Sequence, residues 1–215
     1  MVKPTGRASL SEKAYRILRQ KIVRLELKPG TVLNEAGLVR ELGMSRTPIR
    51  EALQRLGSQK LVAILPRQGM LVPEITVDDI QQVYEFRGLI EGCAARLATE
   101  RITPDDLSRL REIHVAIEAA IKREDPLAFA DQDERFHRLL AAGARNDLLE
   151  ETFDRTYALS LRLWFYFFRR RDTLKETGHE HLAILDALEA RRPEASERAM
   201  RAHIANVQAR VKEVL

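Results

Sequence analysis

The chain has 215 residues, enough for one large or two modest domains with a substantial core. Apolar residues make up 45% and charged residues 32%, the balance of a folded, soluble, helix-rich protein and not of a disordered or fibrous one. A single cysteine, Cys93, excludes a disulfide framework within the chain, and the most apolar stretch, Leu159–Phe168, is interrupted by Arg162 and too short to span a bilayer.

Charge is unevenly distributed. Up to Ile75 there are 14 Lys and Arg against 6 Asp and Glu, a net +8, whereas the remainder holds 22 against 26, a net −4. A basic N-terminal third on an acidic remainder suits a nucleic-acid reader joined to a separate regulatory body, with domains expected at 1–75 and 76–215. The opening residues MVKPTGRASL lack the apolar run of a signal peptide, so a cytoplasmic protein with no membrane partner is expected.

Ser9-Leu10-Ser11-Glu12 has capping-box spacing and opens a helix predicted to run to about Arg24. A Pro29-Gly30 turn follows, then a short helix from about Asn34 that Gly43 ends. Ser45–Leu56 (SRTPIREALQRL) is the most informative stretch. Ile49, Leu53 and Leu56 recur at helical spacing and mark a buried face. Ser45, Arg46, Thr47 and Arg50 then fall on and just before the first turn, where guanidinium groups can reach base edges or phosphates. The exposed amides of that turn also favour an anion. Short apolar runs at Leu61–Ile64 and Met70–Val72 flank Pro66-Arg67-Gln68-Gly69 and predict a two-stranded wing with a basic tip. Three helices and a wing make a winged helix-turn-helix, with DNA contacts expected from Ser45, Arg46, Thr47, Arg50, Arg67, Gln68 and Gly69.

Here the chain resembles the GntR family of bacterial transcription regulators. The resemblance rests on KPG at 28–30, LNE at 33–35, LVRELGMSRTPIREALQRL at 38–56 and RQG at 67–69, and it spans roughly residues 10–72. Two places depart from the family pattern. Lys60 stands where a turn glycine is usual and is expected in a left-handed conformation, and Ala36-Gly37 stand where polar residues are common.

Beyond the linker Pro73-Glu74-Ile75 no strand is predicted. Helices are expected at about 77–99, 104–123, 126–142, 147–169, 174–190 and 193–213, opened by Thr76-Val77-Asp78-Asp79 and Thr103-Pro104-Asp105-Asp106 and punctuated by Gly143, Gly178 and Pro193. The fold class is therefore mostly α, with an all-α bundle of six to seven helices as the second domain. In the helix at about 147–169, Trp164 to Phe168 place aromatics on every face, which points to core plus an interface between copies. Arg169, Arg170 and Arg171 after it read as a solvated helix end.

Asp133 and His137 lie four apart on one helix face, and His181 and His203 lie on the last two helices. The residues alone leave two readings open. The four could converge on one divalent metal, or the histidines could simply be half-buried and hydrogen-bonded. This domain resembles the FCD ligand-binding domain of one GntR subfamily, through EFRGLIE at 85–91, DQDERFH at 131–137 with LLAAGARND after Arg138, and EHLAIL at 180–185. That resemblance implies a metal held by Asp133, His137, His181 and His203, with zinc expected first and nickel, manganese or iron also fitting. His114 and His179 have no matching role, and His179 is expected in a loop.

Arg87 is the candidate to clamp a carboxylate effector at such a metal, or else pairs with Glu91; Asn146 either lines that pocket or caps a helix. The family resemblance implies a homodimeric, metabolite-responsive regulator, most often a repressor, that reads a palindromic double-stranded operator. Two alternatives remain at this stage: a metal-dependent enzyme, and a constitutive DNA binder with a structural metal.

Overall fold

The computed structural model describes residues 9–67, 69–167 and 173–213. Contacts divide the chain into two units that meet in sequence between Ile75 and Thr76.

The first unit begins with α1, Leu10–Val23, whose N-cap Ser9 accepts from the Glu12 amide and whose buried stripe is Ala14, Leu18 and Ile22. Strand β1 is Val32–Leu33, and α2 is Glu35–Leu42. Asn34 caps α2 by accepting from the amides of Ala36 and Gly37, and Gly43 ends it at φ 61°. Then α3, Arg46–Ser58, buries Ile49, Leu53 and Leu56, the face marked by spacing. Lys60 is left-handed at φ 61°, as expected, while its amide returns to the Gly57 carbonyl at 3.0 Å.

The wing differs from expectation. It comprises β2, Ala63–Leu65, and β3, Gly69–Leu71, but the sheet has three strands in the order β1-β3-β2. The turn at Pro29-Gly30 lays β1 along β3, with Val32 opposite Leu71, and the Gly30 amide donates to the Val72 carbonyl at 2.9 Å. Leu61 and Val62, read from sequence as strand, are instead fully or almost fully buried residues of the turn before β2.

Six helices make the second unit among the described residues: α4 Val77–Arg101, α5 Pro104–Lys122, α6 Pro126–Gly143, α7 Asp147–Phe167, α8 Thr173–Glu189 and α9 Pro193–Lys212. Thr76 and Thr103 close full capping boxes with Asp79 and Asp106. Thr103→Ala is expected to cost about 0.5–2 kcal/mol in a urea titration, because it strips the Asp106 amide of its acceptor. Helix α4 packs against α6, α7, α8 and α9 and so forms the axis of the unit.

Gly178 does not end a helix; it lies inside α8. A Cβ there would meet Ile121 Cδ1 at 2.5 Å, so glycine at this position serves the close approach of α8 to α5. His179 is likewise helical and exposed, not in a loop. No described helix is long and apolar enough to cross a membrane.

Candidate functional site

At the head of α3, Arg46, Thr47 and Arg50 are exposed together with Ser45, the N-cap residue. Ser45 has the backbone of a cap, yet its side chain makes no capping hydrogen bond, so its hydroxyl is free to reach outward. The Arg50 guanidinium is tethered by a 3.5 Å contact to Glu35. Glu35, Arg46, Thr47, Arg50, Glu51 and Gln54 line an open cleft along this face. Arg67 and Gly69 flank the wing tip with positive φ values of 64° and 100°; Gln68 lies outside the described residues.

In the helical unit, α6 brings Asp133 and His137 to one point, α8 brings His181, and α9 brings His203. One ligand atom from each lies within 4.8 Å of all the others. The three histidines are fully or almost fully buried. Nε2 of His137 and Nε2 of His203 are 3.2 Å apart, and His181 Nε2 is 3.3 Å from Asp133 Oδ1.

The outward-facing atoms of His203, His137 and Asp133 lie beside other polar groups. His203 Nδ1 hydrogen-bonds to Glu180 Oε2 at 2.8 Å. His137 Nδ1 lies 2.6 Å from Glu91 Oε2, an ion-pair distance without an aligned hydrogen bond. Asp133 Oδ2 accepts from the Tyr157 hydroxyl at 2.5 Å. His181 is held by stacking on Phe136, with ring centroids 4.5 Å apart, and neither of its ring nitrogens has a hydrogen-bond partner.

This arrangement fits a cation. With Nδ1 of His203 bonded to Glu180 and Nδ1 of His137 beside Glu91, the two Nε2 atoms face each other at 3.2 Å, a spacing that suits a cation or a shared proton between them. Asp133 Oδ1 is a buried carboxylate oxygen with no hydrogen-bond partner, aimed at the same point. Burial and the neighbouring imidazoles push His181 well below the ordinary histidine range. Burial lowers His203 as well, against the pull of Glu180. Both rings are therefore neutral near pH 7, the form that donates a lone pair.

Arg87 and Glu91 are both buried on α4 and paired along one edge: Arg87 Nε donates to Glu91 Oε1, and Nη2 reaches Oε2 at 3.2 Å. Arg87 Nη1 donates to Ser160 Oγ at 2.5 Å, and the guanidinium lies 4.9 Å from the centre of the Tyr157 ring. Burial alone would raise Glu91, but the Arg87 charge overrides it and brings the carboxyl from an ordinary 4.5 to about 2. Its stabilising effect is therefore complete above pH 4.5 and is lost as pH falls towards 2. With a chelator present, the urea midpoint of the wild type is expected to drop more between pH 5 and 3 than that of Glu91→Gln; equal drops would contradict the assignment.

Arg87, Asp133, Tyr157, Ser160, Trp164 and His203 are among the residues lining a small cavity of about 20 Å³. Arg87 thus both pairs with Glu91 and faces the candidate metal centre. Trp164, read from sequence as core or interface, also lines this cavity; Phe168 and Arg169 to Arg171 lie outside the described residues. Asn146 is placed elsewhere. Its Oδ1 accepts from the amides of Leu148 and Leu149 at 3.1 and 3.3 Å at the start of α7, and it is not among the cavity-lining residues. From sequence Glu91 reads only as an alternative partner of Arg87, a pairing the structure shows, and not as a neighbour of His137. Glu180 and Tyr157 are not singled out there, since a second carboxylate or a phenol beside such a site is recognisable only once helices are packed.

The model of the gntR family of bacterial regulatory proteins matches residues 10–72, and that of the FCD domain matches residues 82–206. The chain belongs to the GntR family and carries an FCD domain. It is 30% identical over 205 residues to the HTH-type transcriptional repressor RspR of Escherichia coli K12, covering 95% of this chain and 90% of that one. Among solved structures, E. coli McbR/YncC superposes with a TM-score of 0.87 at 25% identity, covering 96% of this chain and 99% of the other. A putative GntR regulator from Rhodococcus sp. RHA1 follows at 0.79 and 25%, covering 97% and 100%. The GntR-FCD chain is a DNA-binding transcription regulator, and the enzyme alternative falls on the same findings.

Proposed function

We propose that this GntR-FCD protein is a homodimeric repressor whose grip on a palindromic operator is controlled by a small organic acid bound beside a metal ion. The observation that carries the reading is the convergence of three imidazole Nε2 atoms and the Asp133 carboxylate next to a cavity lined by Arg87. Asp133, His137, His181 and His203 would hold the ion, with zinc the first choice and nickel, manganese or iron compatible with the same donors. Bound there, the ion supplies a positive anchor for an anionic ligand.

Arg87 supplies the second anchor. Glu91 and Ser160 engage three of its N–H groups, leaving one donor on each terminal nitrogen for a carboxylate. A dimer places two α3 helices on related half-sites, so protein symmetry imposes operator symmetry. Arg46 and Arg50 contact bases and phosphates, Ser45 and Thr47 contact phosphates, and the Arg67–Gly69 tip contacts the adjacent groove. A ligand that favours one arrangement of the dimer shifts the population that binds DNA.

Gel-shift titration with a cognate operator fragment tests the reader. Arg46→Ala is expected to weaken operator binding by about 1–3 kcal/mol and relax base preference, and unchanged affinity rejects the assignment. A thermal-melt screen of central carboxylates on zinc-loaded protein, repeated with operator present, tests the sensor. An acid that stabilises the protein without altering DNA affinity favours a constitutive binder with a structural metal.

A further inference from the structure

Glu180 precedes the ligand His181 in sequence, but its carboxylate serves a different ligand. On α8 the two neighbouring side chains leave the helix about 100° apart. His181 is completely buried, while Glu180, 20% exposed, turns towards α9. There its Oε2 meets His203 Nδ1 at 2.8 Å.

Three donors hold the carboxylate in that position. Arg210 grips it with both terminal nitrogens, Nη1 to Oε1 at 2.9 Å and Nη2 to Oε2 at 3.0 Å. Asn206 Nδ2 adds a bond to Oε1 at 2.9 Å. His203, Asn206 and Arg210 lie on one helix at spacings of three and four, so a single α9 face closes around one carboxylate.

We propose that Glu180 is a positioning residue for the metal centre: it fixes the His203 ring in the Nδ1–H form and so aims the Nε2 lone pair at the point shared with Asp133, His137 and His181. A neutral imidazole carries one proton and can place it on either nitrogen. A carboxylate clamped at Nδ1 settles that choice, orients the ring and raises its basicity as a ligand, an arrangement that typically changes metal affinity 10- to 100-fold. His181 stacks on Phe136 but has no hydrogen bond to Nδ1 to settle its tautomer, so the braced His203 carries more of the site's preorganisation. This inference rests on the metal reading above.

The test uses the full-length protein stripped of metal, zinc itself as the probe, and competition against a chromophoric chelator at pH 8. Glu180→Ala is expected to bind zinc 10- to 100-fold more weakly than wild type. Glu180→Gln, which keeps an acceptor oxygen for Nδ1–H, should recover part of that loss. Glu176→Ala is the control for a merely structural role: Glu176 also pairs with Arg210, at 3.5 Å, but is exposed and is not bonded to any histidine of the cluster. It should leave zinc affinity unchanged. Long-range proton–nitrogen NMR of the metal-free proteins supplies a readout independent of metal, with His203 expected as the Nδ1–H form in wild type and redistributed in Glu180→Ala. Wild type that binds zinc while Glu180→Ala binds within twofold of it, or Glu176→Ala that loses as much, overturns the role of Glu180 and leaves the metal reading intact. Wild type that takes up no zinc overturns both.

Discussion

Glu91→Ala is expected to lower the free energy of unfolding by about 3–5 kcal/mol in urea with a chelator present. Arg87 and Glu91 are 4% and 2% exposed, and Glu91 is the carboxylate bonded to the Arg87 guanidinium. Removing it leaves a buried charge whose remaining contacts are a serine hydroxyl and the faces of Tyr84 and Tyr157. Water cannot easily replace the lost partner at this depth, so the full desolvation cost appears. The companion Arg87→Met, Glu91→Leu variant removes both charges and should regain most of the loss, since apolar residues of similar volume commonly substitute for a buried pair without penalty. A single variant within about 1 kcal/mol of wild type would show that the pair is not what holds this part of α4 in place.

His181→Ala with His203→Ala is expected to abolish zinc-dependent stabilisation. A ligand present at a thousandfold excess over its Kd stabilises a folded protein by about 4.1 kcal/mol. For a domain of this size that corresponds to a rise in Tm on the order of 10 °C. Wild type should therefore melt about that much higher with zinc than after chelation, and the double variant should melt at one temperature in both conditions. Elemental analysis of the purified proteins gives the same answer by a separate route. Full metal retention by the double variant would refute the proposed ligands.

The DNA-reading unit is legible where local rules agree. The spacing of Ile49, Leu53 and Leu56, the helix start near Asn34 and its end at Gly43 all follow from signals within a few residues, and each is found as read. The third wing strand is not legible, because two residues, Val32 and Leu33, carry no alternation, and their pairing with β3 depends on a turn bringing distant segments together. Gly178 misleads for a related reason. Glycine signals a break when only the local chain is considered, whereas here it answers to Ile121 on another helix. Asp133, His137, His181 and His203 are legible as a set of residue types, and α6, α8 and α9 do bring them together. Their supporting groups belong to packing. Glu91 comes from α4 and Tyr157 from α7, helices with no metal-ligand pattern, and Glu180 is masked by the ligand beside it.

The cavity beside the histidines holds about 20 Å³, little more than the space one water molecule occupies. Trp164 stacked on Phe129 forms part of its wall, and Arg87, fixed by Glu91 and Ser160, forms another part. With so little free space beside the histidines, an organic acid binding there would have to push wall side chains aside. Such a pocket cannot be filled silently. Part of such a ligand's binding energy would go into displacing the wall, which would weaken apparent affinity and couple binding to the packing of the helical unit. On the proposed reading, sensitivity to a metabolite would come less from what the pocket recognises than from how little room it offers.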